Sequence, residues 1–282
     1  MNSSKAIPQD TKKVFMKCLT CSRTFCYLLN REFGHTKEDE ERASDPFAGG
    51  LVNLGHQCGM LWGATLAVGA ESFRRNNDRG QAIVNAITAT QHLMESFSKT
   101  AKSVNCRDIS GFDLTNKSDL EKFMKTSFYD IENSPCFNLA EKWAPEAIQS
   151  AKEGLSHKQT DVPQLPISCA SEVAKRMGAS DEEMVMVAGF AGGLGLSGNA
   201  CGALSAAIWM KNLAWCRKHP GESPPYFDNP NTDKTLEAFF GATDSEILCR
   251  RISGQCFKTI GDHTEFIKHD GCKKLIDVLA RS

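Results

Sequence analysis

The sequence lacks the signatures of several large enzyme classes. It contains no P-loop, no dinucleotide-binding fingerprint that follows a strand, and no His-Glu-x-x-His zinc motif. Its His, Asp and Ser residues show no spacing that is typical of a hydrolase. Ser22 follows Cys18-x-x-Cys21, so the histidine of a haem c attachment motif is missing. Nucleotide-binding, zinc-protease, hydrolase and haem c functions therefore receive no support from the sequence.

An excess of charge of either sign is also lacking. The chain of 282 residues carries 33 Lys and Arg against 34 Asp and Glu, for a formal net charge of -1. No basic stripe or acidic tail stands out, so we expect no nucleic-acid partner. The first residues lack the apolar run of a signal peptide, which predicts a cytoplasmic location. In that reducing compartment, clustered cysteines are more often metal ligands or redox thiols than structural disulfides.

No segment alternates between apolar and polar positions as a strand does, so we expect no sheet. The apolar residues from 12 to 33 recur instead at helical spacing, which predicts one helix that ends at Gly34. Further helices are predicted at 56–76, 81–104 and 199–218. Two uncharged stretches, 46–70 and 184–210, are long enough to span a bilayer. Each has a Gly-rich break near its middle, so we interpret them as loops that lead into buried helices and expect no membrane insertion.

Cysteine, by contrast, is plentiful and repeats in register. Three pairs among the 12 cysteines are 143 positions apart, namely Cys26 and Cys169, Cys58 and Cys201, and Cys106 and Cys249. A fourth pair, Cys136 and Cys272, is 136 positions apart. A duplicated chain that retains its cysteines while most other residues differ indicates that these cysteines act together.

The residues around Cys58 and Cys201 repeat as well. Both cysteines follow a Gly-Gly-x-x-x-x-Gly-x-x run and precede a glycine. Each would lie in the first turn of a helix, where unpaired N–H groups and the helix dipole favour a thiolate. We therefore predict the lowest thiol pKa values at Cys58 and Cys201, which would be the attacking thiolates in any thiol chemistry. The glycines expected beside a compact cofactor are Gly55, Gly59, Gly198 and Gly202.

The order of cysteines in each half resembles the C_GCAxxG_C_C family: one Cys, then Gly-x-x-Cys-Gly-Ala-x-x-Gly, then two further Cys. Redox activity is ascribed to this family without a settled reaction. Members are typically the size of one half, so the chain is similar to a tandem fusion with repeats at 1–157 and 158–282. Each half departs once from the motif, with Met60 in place of Ala and Ala206 in place of the last Gly. The resemblance implies two sets of site cysteines: Cys26, Cys58, Cys106 and Cys136, and Cys169, Cys201, Cys249 and Cys272.

Four thiolates can ligate a 4Fe-4S or 2Fe-2S cluster, or a tetrahedral zinc ion. A similar module accompanies haem in split-Soret-type cytochromes, where an iron–sulfur centre has been associated with it, and this favours a cluster over zinc. The site cysteines are 32, 48, and 30 or 23 residues apart, so tertiary structure must assemble such a site. Two alternatives stay open: pairs of cysteines could cycle between dithiol and disulfide, or the cysteines could be structural.

The remaining cysteines have no counterpart at the repeat distance. Cys18 and Cys21 would share one face of the predicted helix, where they could serve a metal or a redox pair, or could simply extend the apolar stripe. Cys216 and Cys256 are interpreted as packing residues.

We therefore predict an all-α protein made of two homologous helical-bundle halves, related by internal pseudo-twofold symmetry. The expected function is cysteine-based redox chemistry, with an iron–sulfur cluster in each half that acts in electron transfer. A redox partner protein and a homo-oligomer are the expected interactions. The rival functions are a metal-free thiol–disulfide oxidoreductase and a non-catalytic module associated with a membrane or a transporter.

Overall fold

A computed structural model describes residues 10–159 and 162–282, and in these ranges the protein is helical and contains no strand. The helices of the first half are α1 (Thr11–Cys18), α2 (Cys21–Phe33), α3 (Glu38–Arg42), α4 (Gly59–Arg75), α5 (Arg79–Ala101), α6 (Cys106–Ser110), α7 (Lys117–Met124) and α8 (Pro135–Ser156). Those of the second half are α9 (Cys169–Arg176), α10 (Asp181–Met186), α11 (Gly202–Lys218), α12 (Pro230–Thr243), α13 (Cys249–Ile252), α14 (Ile260–Lys268) and α15 (Lys273–Arg281). The prediction of an all-α fold is confirmed.

In the described ranges, two 3-10 turns and one π-helical turn also occur. They are Asp45–Phe47, Ala188–Phe190 and Lys125–Tyr129, respectively. In the part of the chain that the structure describes, no helix combines the length and the apolar character needed to cross a membrane.

The two halves contact each other reciprocally. Helix α4 packs against α10, and its counterpart α11 packs against α3, the counterpart of α10. Phe47 and Phe190, which are 143 positions apart, also contact each other, with ring centroids 5.5 Å apart. Reciprocal contacts, and a residue in contact with its own counterpart, are what a twofold axis produces. The packing is therefore consistent with the expected internal pseudo-twofold symmetry.

Helices α4 and α11 are the central helices of their halves, and they are buried over most of their length. A helix that is apolar on all sides belongs in a core, which explains the two uncharged stretches of sequence. Gly63 allows α4 to approach α2 closely, because a Cβ atom at this position would lie 1.9 Å from the carbonyl oxygen of Ser22. Both central helices begin three residues later than predicted, directly after Cys58 and Cys201.

The prediction of one helix from 12 to 33 is wrong, because the chain breaks between α1 and α2. Leu19 adopts a left-handed conformation with a φ of 66°, and its N–H donates to the carbonyl of Phe15. Thr20 then caps α2, since its hydroxyl accepts a hydrogen bond from the N–H of Arg23 at 3.3 Å. As a result, Cys21 is the first residue of a helix.

The segment between α11 and α12, residues 219–229, crosses to the first half. We call it the crossing segment. The hydroxyl of Tyr226 donates to Oδ1 of Asn53 at 2.8 Å, and Nη1 of Arg23 donates to the hydroxyl of Ser223 at 3.0 Å. The corresponding connection in the first half, between α4 and α5, has only residues 76–78.

Candidate functional site

The Gly-rich loop that precedes each central helix forms a left-handed turn. Residues 49–53 and their counterparts 192–196 all have positive φ. Three of the five in the first half are not glycine, and they include the β-branched Val52 with a φ of 53°. Each such residue costs about 1–2 kcal/mol. Backbone strain of this kind persists only where the surrounding structure fixes it, and it is concentrated at functional sites.

Backbone hydrogen bonds from this loop hold the second and third site cysteines side by side. The N–H of Cys58 donates to the carbonyl of Val104 at 2.8 Å, and the N–H of Cys106 donates to the carbonyl of His56 at 2.6 Å. The second half repeats both bonds at Cys201 and Cys249, with distances of 2.9 and 2.6 Å. The repeated motif thus produces the same local assembly twice.

In the first half, four cysteines from four different segments meet at one cavity. Cys21, Cys58, Cys106 and Cys136 line a cavity of about 450 Å³, and Cys18, at the end of α1, joins them. Burial raises the pKa of Cys106 to about 12 and also raises that of Cys136 well above its ordinary value, and the neighbouring thiols add to both shifts. All twelve cysteines of the chain are free thiols.

The four predicted site cysteines of the second half also lie near one another. Burial raises the pKa values of Cys169, Cys201 and Cys272 to about 12, and it raises that of Cys249 further. The three other thiols are close enough to Cys249 to contribute to its shift. Within residues 10–159 and 162–282, no group of three His, Cys, Asp or Glu side chains is already arranged to hold a metal ion.

The structure does not bring Cys26, the predicted first site cysteine, to this cavity. Cys26 is fully buried and accepts a hydrogen bond from Nδ2 of Asn30 at 3.8 Å. Its expected place is taken by Cys21, which begins α2 as Cys169 begins α9. The N–H of Gly49 lies close enough to Cys21 to lower its pKa, and the N–H of Gly192, the counterpart of Gly49, has the same effect on Cys169.

The prediction of the lowest thiol pKa values at Cys58 and Cys201 is also wrong. The thiol of Cys58 donates a hydrogen bond to Cys21, which raises the pKa of Cys58, and burial raises it further. The same hydrogen bond, together with the N–H groups of Gly49 and of the first turn of α2, lowers the pKa of Cys21. At Cys201, burial outweighs the N–H groups of α11. The helix-start argument therefore applies to Cys21 and not to the two cysteines of the Gly-rich motif.

Serine hydroxyls lie near several of the site thiols. Ser110 lies close enough to Cys106 to lower its pKa, and its counterpart Ser253 does the same at Cys249, in each case four residues along the repeated Cys-Arg-x-Ile-Ser-Gly sequence. The hydroxyl of Ser253 donates to the backbone carbonyl of Cys249 at 2.8 Å. Ser127, in the π-helical turn, lies close enough to Cys136 to lower its pKa. The buried hydroxyl of Ser127 makes no hydrogen bond of normal geometry. A polar atom without a partner at this position points to a group that the cavity would accommodate.

The four glycines predicted to lie beside a cofactor do not line the cavity, and they instead allow the close packing and the backbone angles of the motif loops. A Cβ atom at Gly59 would lie 2.6 Å from Sγ of Cys21, so this glycine makes room for the thiol. At Gly202 it would lie 1.8 Å from the carbonyl oxygen of Phe190. Gly55 and Gly198 have φ values of 78° and 72°, which favour glycine.

The two unpaired cysteines of the second half differ from each other. Cys216 is fully buried in the core, in agreement with the packing interpretation, whereas Cys256 is exposed, so that interpretation is wrong for Cys256.

Sequence reasoning also missed Asp45, a buried carboxyl that lines the cavity and accepts a hydrogen bond from the hydroxyl of Thr20 at 2.6 Å. Burial raises the pKa of Asp45 to about 6.

Comparison with known proteins identifies one family. The sequence matches the family model described as "Putative redox-active protein (C_GCAxxG_C_C)" over residues 19–147 and again over residues 167–282. Each match begins two residues before the cysteine that starts α2 or α9. No curated protein and no solved structure matches the chain.

Proposed function

The chain belongs to the C_GCAxxG_C_C family in both of its halves, and on this premise we propose that each half uses four cysteines to bind an iron–sulfur cluster for electron transfer. The proposed ligands are Cys21, Cys58, Cys106 and Cys136 in the first half, and Cys169, Cys201, Cys249 and Cys272 in the second. One observation carries the proposal: both halves bring four thiols together from equivalent segments, although these segments differ in length and in most residues.

The chemistry of these thiols is compatible with a cluster. Most of them have a raised pKa, because burial and the neighbouring sulfurs both oppose a negative charge. A bound metal centre would supply the missing positive charge, and thiols that coordinate metals are deprotonated. The cavity in the first half, at about 450 Å³, also has room for more than a single ion.

A cluster held here would supply one-electron oxidation and reduction, with a potential set by burial and by hydrogen bonds to the sulfurs. The chain provides such donors in both halves. The N–H groups of Gly49 and Gly192 lie close enough to the first cysteine of each set to lower its pKa, and the hydroxyls of Ser110 and Ser253 do the same at the third. The left-handed turns fix the direction of the two N–H groups. These side chains and N–H groups would therefore orient the ligands and stabilise their negative charge.

A second candidate, thiol–disulfide exchange, is favoured by the contact between Cys21 and Cys58. Their thiols lie close enough for each to shift the pKa of the other, and the pKa of Cys21 is lowered as an attacking thiolate requires. Formation of the disulfide would release two electrons and two protons to a partner protein with an oxidised disulfide. In the second half Cys169 has a raised pKa. This alternative therefore confines the chemistry to the first half.

The test begins with anaerobic purification of the full chain, followed by iron and sulfide analysis and visible absorption. Two clusters per chain are expected. Cys21→Ser should lower the iron content by about half, and Cys201→Ser should do the same through the second site. Cys26→Ser is the matched control, because Cys26 lies five residues along the same helix but outside the cavity, and it should retain both clusters.

Full retention of iron in both Cys21→Ser and Cys201→Ser would contradict the ligand assignment. A colourless chain without iron, in which mass spectrometry after mild oxidation detects a disulfide between Cys21 and Cys58, would replace the cluster with thiol–disulfide exchange. A loss of iron in Cys26→Ser but not in Cys21→Ser would support Cys26 as the first ligand, as the sequence alone predicts.

A further inference from the structure

The cavity of the first half extends beyond its thiols into an aromatic wall. Seven of its lining residues are aromatic: Phe15, Phe123, Phe128, Tyr129, Phe137, Tyr226 and Phe227. Of the described residues that line it, none is Lys, Arg or His, and Asp45 is the one carboxylate. Its volume, about 450 Å³, lies within the range of about 300–1,000 Å³ that is typical of small-molecule sites.

Most of the large apolar side chains that are exposed to solvent lie at this cavity. Among the described residues six large hydrophobic side chains are exposed, and four of these line the cavity: Leu19, Met124, Tyr129 and Phe227. Tyr129 is 87% exposed and Leu19 is 60% exposed. Single exposed apolar residues are ordinary, but a group of them around one cavity marks a binding site.

One wall of the cavity comes from the other half of the chain. Four residues of the crossing segment line it: Ser223, Pro224, Tyr226 and Phe227. The wall is anchored, because the hydroxyl of Tyr226 donates to Asn53 in the left-handed turn and Arg23 donates to Ser223. The second half thus completes the site of the first half with side chains that the first half does not supply.

We propose that this cavity binds a small, uncharged aromatic molecule beside the cysteines of the first half. The aromatic lining favours stacking and edge-to-face contacts with another ring system. An anion would find no cationic side chain among the described lining residues, and a buried charge without a partner is unfavourable. A cation gains little from Asp45, because Arg23 and Arg42 lie close enough to offset its charge. The site does not require a bound cluster and so goes beyond the function proposed above.

The experiment uses two fluorescent probes that share one ring system. N-phenylnaphthylamine is uncharged, whereas anilinonaphthalene sulfonate carries an added anionic group. Titration into the folded full chain should give saturable binding of the uncharged probe at one molecule per chain. The sulfonate should bind at least about tenfold more weakly, since the aromatic wall offers it no counter-charge.

Matched variants connect the binding to this cavity. Leu19→Ser combined with Phe227→Ser removes two rim side chains and should weaken binding of the uncharged probe by about tenfold or more. Leu165→Ser is the control, because Leu165 is 70% exposed but does not line the cavity, and it should change the affinity less than twofold. Circular dichroism and iron content, measured on the same samples, should be unchanged in all three proteins.

Three results would overturn the proposal. They are the absence of saturable binding, equal affinity for the sulfonate, and equal weakening by Leu165→Ser and the double variant. Iron content is measured on the same samples, so failure of this site and failure of the cluster assignment can be distinguished.

Discussion

The side chain of Gln57 makes one of the contacts between the two halves, and its replacement by alanine gives a sharp prediction. Gln57 is fully buried; its Nε2 donates to the carbonyl of Gly193 at 3.1 Å, and its Oε1 accepts from the N–H of Ala200 at 3.2 Å. Gln57 directly precedes Cys58, and Ala200 directly precedes Cys201. One side chain therefore links the two motif loops.

The magnitude follows from the groups that Gln57→Ala leaves behind. The carbonyl of Gly193 keeps a second partner, the hydroxyl of Ser197, so its loss is one hydrogen bond of about 1 kcal/mol. The buried N–H of Ala200 loses its partner, which costs about 1–3 kcal/mol. We expect the free energy of unfolding to fall by about 2–4 kcal/mol, since the small void left by the side chain can only add to the loss.

Urea denaturation followed by circular dichroism measures this change. The matched control is Gln255→Ala, because the exposed Gln255 makes no comparable contact, and it should alter the free energy of unfolding by less than about 0.5 kcal/mol. If the halves unfold separately once the link is removed, the single transition should split into two with smaller denaturant dependence. A loss below about 1 kcal/mol with one unchanged transition would show that the two hydrogen bonds of Gln57 do not stabilise the contact between the halves.

Further predictions concern packing and pH. Gly63→Ala should lower the free energy of unfolding by about 1–3 kcal/mol, since its Cβ atom would meet the backbone of Ser22. The control, Gly241→Ala, changes an exposed helical position with open space around it and should raise the free energy of unfolding by about 0.5–1 kcal/mol. Equal effects of the Gly63 and Gly241 variants in urea denaturation would contradict the packing of α2 on α4. Burial raises the pKa of Asp45 from 3.8 to about 6, so the stabilising contribution of this group is complete below pH 3.8 and is lost as the pH rises through 6. The free energy of unfolding should therefore fall by up to about 3 kcal/mol across this pH window, and this fall should be absent in Asp45→Asn. Denaturation at a series of pH values measures it. The same pH profile in both proteins would show that the carboxyl of Asp45 does not titrate in a buried site.

The sequence predicted the repeated part of the fold well, because its local signals agree with one another. The Gly-Gly run, the following glycine and the Cys-Gly pair recur at one distance, and they produce two left-handed turns with the same hydrogen bonds. The N–H of Gly55 donates to the carbonyl of Gly49 at 3.0 Å, and the N–H of Gly198 donates to that of Gly192 at 2.8 Å. Positive φ at glycine and a helix start are local properties, so a pattern of this kind can predict them.

The first site cysteine could not be found by the same distance, because the segment before the loop differs in length. Helix α2 has 13 residues and α9 has eight, so the helix starts are displaced by five positions relative to the loops. Cys26 is 143 positions before Cys169, but it lies five residues inside its helix, whereas Cys169 begins one. One local signal does identify the two cysteines that begin equivalent helices: Thr20 precedes Cys21, Ser168 precedes Cys169, and each hydroxyl caps its helix.

The crossing segment shows what a fusion of two repeats permits. In a dimer of identical chains, any segment that closed one site would close both. Here the connection before α12 has eleven residues, 219–229, whereas the connection before α5 has three, so only the second half can reach across. The site that the segment reaches is also the one in which the first cysteine has a lowered pKa, whereas burial raises that of Cys169. The two cysteine sets therefore share an architecture but not an environment, and their redox properties should differ accordingly.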